Sequence, residues 1–211
     1  MRSNRIAGPS LAALFVATSA LLGACGGSSG GGGGSPTPAT GATATAPSPG
    51  AATPAPASSM AVTSTAFADG AVIPVGNTCS GASASPALSW SGAPAATKGY
   101  ALIVDDPDAP LAGGFVHWLV YDLPASTTAL EANAPDGPDL AGGKQGANGR
   151  GATAYAGPCP PVGSAPHHYH FRVYALDAPL GLAPGATRGD VQSALAGHLL
   201  AQGELVGLFS R

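Results

Sequence analysis

From Gly26 to Ser58 the chain contains nine Gly, six Pro and otherwise only Ala, Ser and Thr. No core can be built from such a segment, because it buries too little apolar surface to offset the entropy of ordering its backbone. The run lies inside a longer stretch, Ile6 to Ala68, without a charged residue. Residues 26–59 are therefore expected to be a disordered tether. As flexible coil it would span roughly 30 Å end to end, more where Pro stiffens it. Any fold has to come from residues 60–211.

Residues 1–25 have the pattern of an export signal. Arg2 and Arg5 supply the positive end, Leu11–Leu22 is an apolar run, and the small residues Gly23 and Ala24 precede Cys25. A helix of that run would rise about 18 Å, too little for a bilayer core of about 30 Å. Leu22-Gly23-Ala24-Cys25 resembles a bacterial lipobox, which implies cleavage before Cys25 and acylation of its sulfur. An ordinary cleaved signal with an incidental Cys is the alternative. On the lipobox reading the protein is exported and lipid-anchored to the bacterial cell envelope, with the membrane as a partner through the lipid alone. Loss of residues 1–25 leaves 6 basic and 11 acidic groups, a formal charge of −5. That balance offers no footprint for nucleic acid.

About 150 residues can enclose a core. Strands are expected over Ala61–Phe67, Ala87–Trp90, Gly99–Asp105, Phe115–Leu123, His168–Leu176 and Glu204–Phe209. Gly99–Val104 is apolar throughout, as suits a strand covered on both faces. One helix is indicated. Thr187 and Asp190 make a capping box, Val191, Ala194, Leu195, His198 and Leu199 follow at helical spacing, and Gly203 would end it. Many strands and one late helix predict a mainly β sandwich with Greek-key links. With Cys25 assigned to lipid, Cys79 and Cys159 form a possible disulfide in an oxidising compartment. Two separate buried thiols remain open at this point.

Three places concentrate polar groups that apolar strands do not need. Asp105-Asp106-Pro107-Asp108-Ala109-Pro110 follows the buried strand, and Asp106 or Asp108 there can simply close a turn. His117 shares, by strict alternation, the face of Phe115, Leu119 and Tyr121, with Trp118 opposite; it suits a core histidine as well as a ligand contact. The loop Gly157–Gly163 leads into His167-His168-Tyr169-His170. His167 and Tyr169 on one face can donate to an anion. His168 and His170 on the other could chelate a metal, but no Cys or carboxylate stands at a matching offset. No metal and no cofactor is assigned.

In this order and spacing the segments resemble the phosphatidylethanolamine-binding protein family, in particular its bacterial, Raf-kinase-inhibitor-like branch. The resemblance runs over Val62–Arg211 through Asn77-Thr78-Cys79-Ser80-Gly81, Ser85-Pro86-Ala87-Leu88-Ser89-Trp90 and Leu102–Pro110. It continues in Val116-His117-Trp118, Gly157-Pro158-Cys159-Pro160-Pro161, His167-His168-Tyr169 and Gly197–Gln202. It implies two antiparallel sheets in a Greek-key sandwich, a helix near the C-terminus, and a small surface pocket for a phosphate-like anion or headgroup. Carried over by motif, the ligand-binding residues are Asp106, Pro110, His117, Gly157, His167 and Tyr169, with Trp118 a weaker candidate. Asp106 is expected to orient an imidazole.

Three departures stand out. Leu111–Val116 is short, which predicts an open rim. Asn148-Gly149-Arg150-Gly151 lacks the Asp-Trp pair common in bacterial members, and His168 stands where Arg is frequent. The functional expectation is a membrane-anchored binding module for a phosphate-bearing or zwitterionic small ligand, or for a protein presenting one. The alternatives are an inhibitor of a protease or kinase-like enzyme, and a weak Asp/His hydrolase. With no Gly-x-Ser-x-Gly elbow and no nucleophile–base arrangement, an enzyme is not expected.

Overall fold

A computed structural model describes residues 58–211. The signal, the Cys25 assignment and the tether up to residue 57 lie outside the described residues. The strands are β1 (Ser58–Ser59), β2 (Ala61–Thr63), β3 (Ala71–Val72), β4 (Leu88–Ser91), β5 (Gly99–Asp106) and β6 (Phe115–Pro124). After them come β7 (Ala129–Leu130), β8 (Asp139–Leu140), β9 (Gly143–Gln145), β10 (His167–Leu176), helix α1 (Arg188–Leu195) and β11 (Leu199–Phe209). The larger sheet runs β1-β11-β10-β5-β6-β9-β8, with β3 also on β11; the smaller runs β2-β4-β7. β10 returns beside β5 after β5, β6 and β9, which is a Greek key. Pairing is antiparallel except at the two short strands β1 and β3, which run parallel to β11. The fold is mainly β, two sheets and one helix.

Apolar residues on both faces of β5 explain its place. Tyr100, Leu102 and Val104 face the smaller sheet with Trp90, Trp118, Phe171 and Val173, while Ala101 and Ile103 pack with Leu119, Tyr121 and Val191 of α1. All eight residues of β5 are buried.

Four sequence expectations change. Ser58 and Ser59, assigned to the tether by composition, pair with Ala201 and Gln202. The first long strand stops at Thr63 rather than Phe67. The capping box forms, with the Thr187 side chain accepting from the Asp190 amide and the Asp190 carboxylate accepting from the Thr187 amide. The helix nevertheless ends at Leu195, because Gly197 takes φ 85° and His198 and Leu199 turn away. Gly203 is then no helix stop. It lies inside β11, where an added Cβ would stand 2.4 Å from the Met60 carbonyl oxygen.

The fourth change decides the site. Val104 pairs with Trp118 and Asp105 with Val116, so His117 is the extra residue of a bulge in β6. Alternation breaks there. His117 and Trp118 both turn toward the inter-sheet side, and the His117 ring meets Tyr169 at 5.1 Å and Phe115 at 4.8 Å between centroids. Leu119 and Tyr121 face the helix instead.

Candidate functional site

The C-terminal end of β5 and the N-terminal ends of β6 and β10 meet at one end of the larger sheet, since Asp106 pairs with Phe115 and Asp105 with His170. Asp106 Oδ1 accepts the amides of Asp108 (2.9 Å) and Ala109 (3.1 Å), closing the turn. Its Oδ2 accepts from His167 Nδ1 at 2.8 Å. The turn role and the imidazole-orienting role are thus played by one carboxylate. His117 Nδ1 donates to the Ala156 carbonyl at 2.6 Å, and the Ala156 amide returns a bond to the His117 carbonyl.

These groups surround a cavity of about 260 Å³ lined by Asp106, Pro110, His117 and His167, with Phe115, Leu111, Arg150 and the Cys159–Pro161 segment completing the wall. Four of the six sequence-derived residues therefore come together. Gly157 and Tyr169 do not line the cavity. Gly157 lies behind it, where a Cβ would sit 2.8 Å from Ser83 Oγ and 2.9 Å from the Thr78 backbone carbon, so the loop can approach only with glycine there. Tyr169 is wholly buried against the two imidazoles, and its hydroxyl has no partner among the described residues. Trp118 also stays out of the cavity. It is buried, donating from Nε1 to Gln145 Oε1 at 2.7 Å.

Arg150 is the residue that motif matching passed over. Asn148 Oδ1 accepts the Arg150 and Ala152 amides and so fixes the turn. The guanidinium makes no hydrogen bond or ion pair among the described residues. The signal was available, since Arg150 lies within the segment that departs from the bacterial pattern.

The histidine tautomers follow from their partners. A carbonyl only accepts, and so does a carboxylate oxygen whose partner oxygen already takes two amides, so both Nδ1 atoms carry protons. Each ring has Nε2 left. Burial holds the His117 imidazole below its usual range, against the raising effects of the Ala156 bond and the Asp106 charge; Arg150 lowers it further. Neutral His117 then offers Nε2 as an acceptor. With Nδ1 committed to the Ala156 carbonyl, His117 donates to an anion from Nε2 when it is protonated.

On the outer face of β10, His168 takes Asp108 (2.7 Å) and His170 takes Glu204 (2.8 Å), so the two imidazoles serve different carboxylates. Among the described residues no group of three His, Cys, Asp or Glu is placed to hold a metal ion. Cys79 and Cys159 are joined by a disulfide. A larger groove of about 490 Å³ on the outer face of β10 and β11 holds Arg172 and Glu204. Its charges are already paired, Arg172 with Glu204 and with Asp105 at 2.7 Å each. The smaller cavity has a cation with no partner among the described residues and two open ring nitrogens, and it is the candidate site.

The family model described as phosphatidylethanolamine-binding protein matches residues 63–210. The chain belongs to this family. Among relatives, an Aquifex aeolicus UPF0098 protein is 46% identical over 153 residues, covering 72% of this chain and 89% of that protein. A Mycobacterium tuberculosis protein whose name gives it as a lipoprotein, LppC, is 43% identical over 151 residues, 71% of this chain and 72% of its own. The crystal structure of Escherichia coli YbcL, titled a new member of the mammalian PEBP family, is 33% identical with a TM-score of 0.68. It covers 72% of this chain and 98% of YbcL. The chain is thus a phosphatidylethanolamine-binding-protein-family binding protein, and the bulge, the paired Asp106 and Arg150 are how this member builds its cavity.

Proposed function

We propose that this family member is an envelope-anchored binding module whose cavity receives a phosphate-bearing or zwitterionic headgroup, free or presented by a protein. The observation that carries the reading is Arg150, a cation without a side-chain partner among the described residues, beside two imidazoles whose Nε2 atoms remain open. Arg150 is exposed while Asp106, His117 and His167 are buried, so the guanidinium can pair a ligand anion beside buried polar groups. Arg150 supplies permanent charge, and a ligand ammonium or hydroxyl can donate to Nε2. Asp106 already accepts three bonds, from the Asp108 and Ala109 amides and from His167 Nδ1. The apolar edge from Pro110, Leu111 and Phe115 suits a carbon chain beyond the headgroup. Gly157 and Tyr169 support the wall from behind.

Envelope attachment rests on the lipobox ending at Cys25 and on the name of the mycobacterial relative. Among the described residues no helix is long and apolar enough to cross a membrane. On this reading residues 26–57 hold the binding domain away from the bilayer.

An NMR titration with inorganic phosphate and phosphoethanolamine, following the imidazole signals, tests the cavity. Saturable shifts at His117 and His167 are expected, lost in His117→Ala. Silence of both rings up to tens of millimolar would remove the reading.

A further inference from the structure

We propose that the Cys79–Cys159 disulfide is a thiol-exchange site, opened at the Cys159 sulfur by small anionic thiols. The inference goes beyond headgroup binding and stands whatever the cavity holds. The crosslink is asymmetric. Cys159 is exposed and lines the cavity, whereas Cys79 is half-buried and does not line it. Exchange begins when a thiolate reaches a disulfide sulfur, so access decides which of the two is attacked. Arg150 is exposed on the same cavity wall, and its guanidinium has no hydrogen-bond or ion-pair partner among the described residues. A thiolate that carries a second negative group is therefore drawn toward Cys159. Asp106, the carboxylate of that wall, is buried and already accepts three bonds.

In the exchange the incoming sulfur bonds to Cys159 Sγ while the Cys79–Cys159 bond breaks. The electron pair leaves on Cys79 Sγ, which takes a proton from water. The incoming thiol is oxidised to a mixed disulfide and Cys79 is reduced, so nothing else is consumed. The loop does not depend on the crosslink for its position. The Cys79 amide donates to the Pro158 carbonyl at 3.0 Å, Arg211 Nε to the Pro160 carbonyl at 2.7 Å, and the Gly163 amide to the Arg211 carbonyl at 2.8 Å. Those bonds keep the freed Cys79 thiol beside Cys159. It can attack the mixed disulfide in turn, expel the cap and restore the crosslink. Until then the cap stands at the cavity, whose volume is about 260 Å³.

The test exposes the full chain, without denaturant, to an excess of 2-mercaptoethanesulfonate, quenches it in acid and maps capped peptides by mass. Mapping separates Cys79 and Cys159 from Cys25. A cap on Cys159 with a free Cys79 thiol is expected. A cap on Cys79, an even split, or no cap under conditions that label the urea-unfolded chain would overturn the proposal. Neutral 2-mercaptoethanol isolates the effect of charge. Arg150→Gln should slow the sulfonate thiol roughly three- to tenfold relative to the neutral one, and Arg150→Lys should keep the parent ratio. High salt should bring the parent toward the Gln variant. A loosened loop would change both rates and leave their ratio alone. A ratio unmoved by Arg150→Gln and by salt would overturn the preference for anionic thiols.

Discussion

His117 is buried beside Tyr169 and Phe115, and that burial links its protonation to stability. In the unfolded chain an imidazole titrates near about pH 6.5. In the fold desolvation holds His117 lower, so below about 6.5 the unfolded chain takes up more protons than the folded one. Stability from this residue is full above that window and drains as pH falls through it. Urea midpoints at pH 7.5 and 5.5 should drop less in His117→Gln than in the parent chain; equal drops would remove His117 as the source. Anion affinity has the opposite sense. A protonated His117 donates from Nε2, so phosphate binding should strengthen as the fold weakens. The residue itself was visible in the sequence as a candidate. Its direction was not, because strict alternation pointed it at the helix face, and only the pairing of Val104 with Trp118 and Asp105 with Val116 reveals the bulge.

The Gly157–Gly163 loop shows the same division at the scale of an element. Its Pro content is local and makes it stiff. Its position depends on distant partners. The Cys79 amide donates to the Pro158 carbonyl, Arg211 Nε donates to the Pro160 carbonyl at 2.7 Å, and the Arg211 carbonyl accepts from Gly163. The Cys79–Cys159 disulfide closes a sequence separation of 80 residues, and Cys159 itself lines the cavity. Cys159→Ser should therefore cost about 2–4 kcal/mol of stability through the freer unfolded chain, read as a lower urea midpoint. The hydrogen bonds to Cys79 and Arg211 should keep the loop in place and the imidazole signals responsive to phosphate. An unchanged midpoint would mean that the crosslink contributes nothing to folding. Helix α1 teaches a similar lesson, for its start was legible in Thr187 and Asp190 while its end was not. The apolar spacing through His198 and Leu199 continues past Leu195, but β10 recruits Leu199–Phe209 as a strand partner.

For the whole molecule, the Greek key brings Asp106, Phe115 and His167 to one end of the larger sheet, while Ser58 enters beside Ala201, eight residues along β11 from the Phe209–His167 pair. At about 3.3 Å per residue, Ser58 joins the fold about 26 Å from the cavity end. The anchor itself is tested by Cys25→Ser, which should abolish incorporation of labelled palmitate and release the protein from the membrane fraction. A variant that stayed labelled and membrane-bound would place the anchor elsewhere.

Composition and local pattern alone determined that residues 60–211 form a strand-rich domain, set the expectation that residues 26–59 supply no core, and singled out Asp106, His117 and His167 as candidate polar groups. Those properties depend on side-chain type and on neighbours a few residues away. The tertiary structure decided which way His117 points, which ring nitrogen each histidine keeps open, that Arg150 joins them, and that Gly157 and Tyr169 stand behind the wall. Each of these depends on a partner far along the chain, such as Ala156 for His117 at a separation of 39 residues and Asp106 for His167 at 61. No local pattern encodes a proton's direction when the acceptor arrives only through folding.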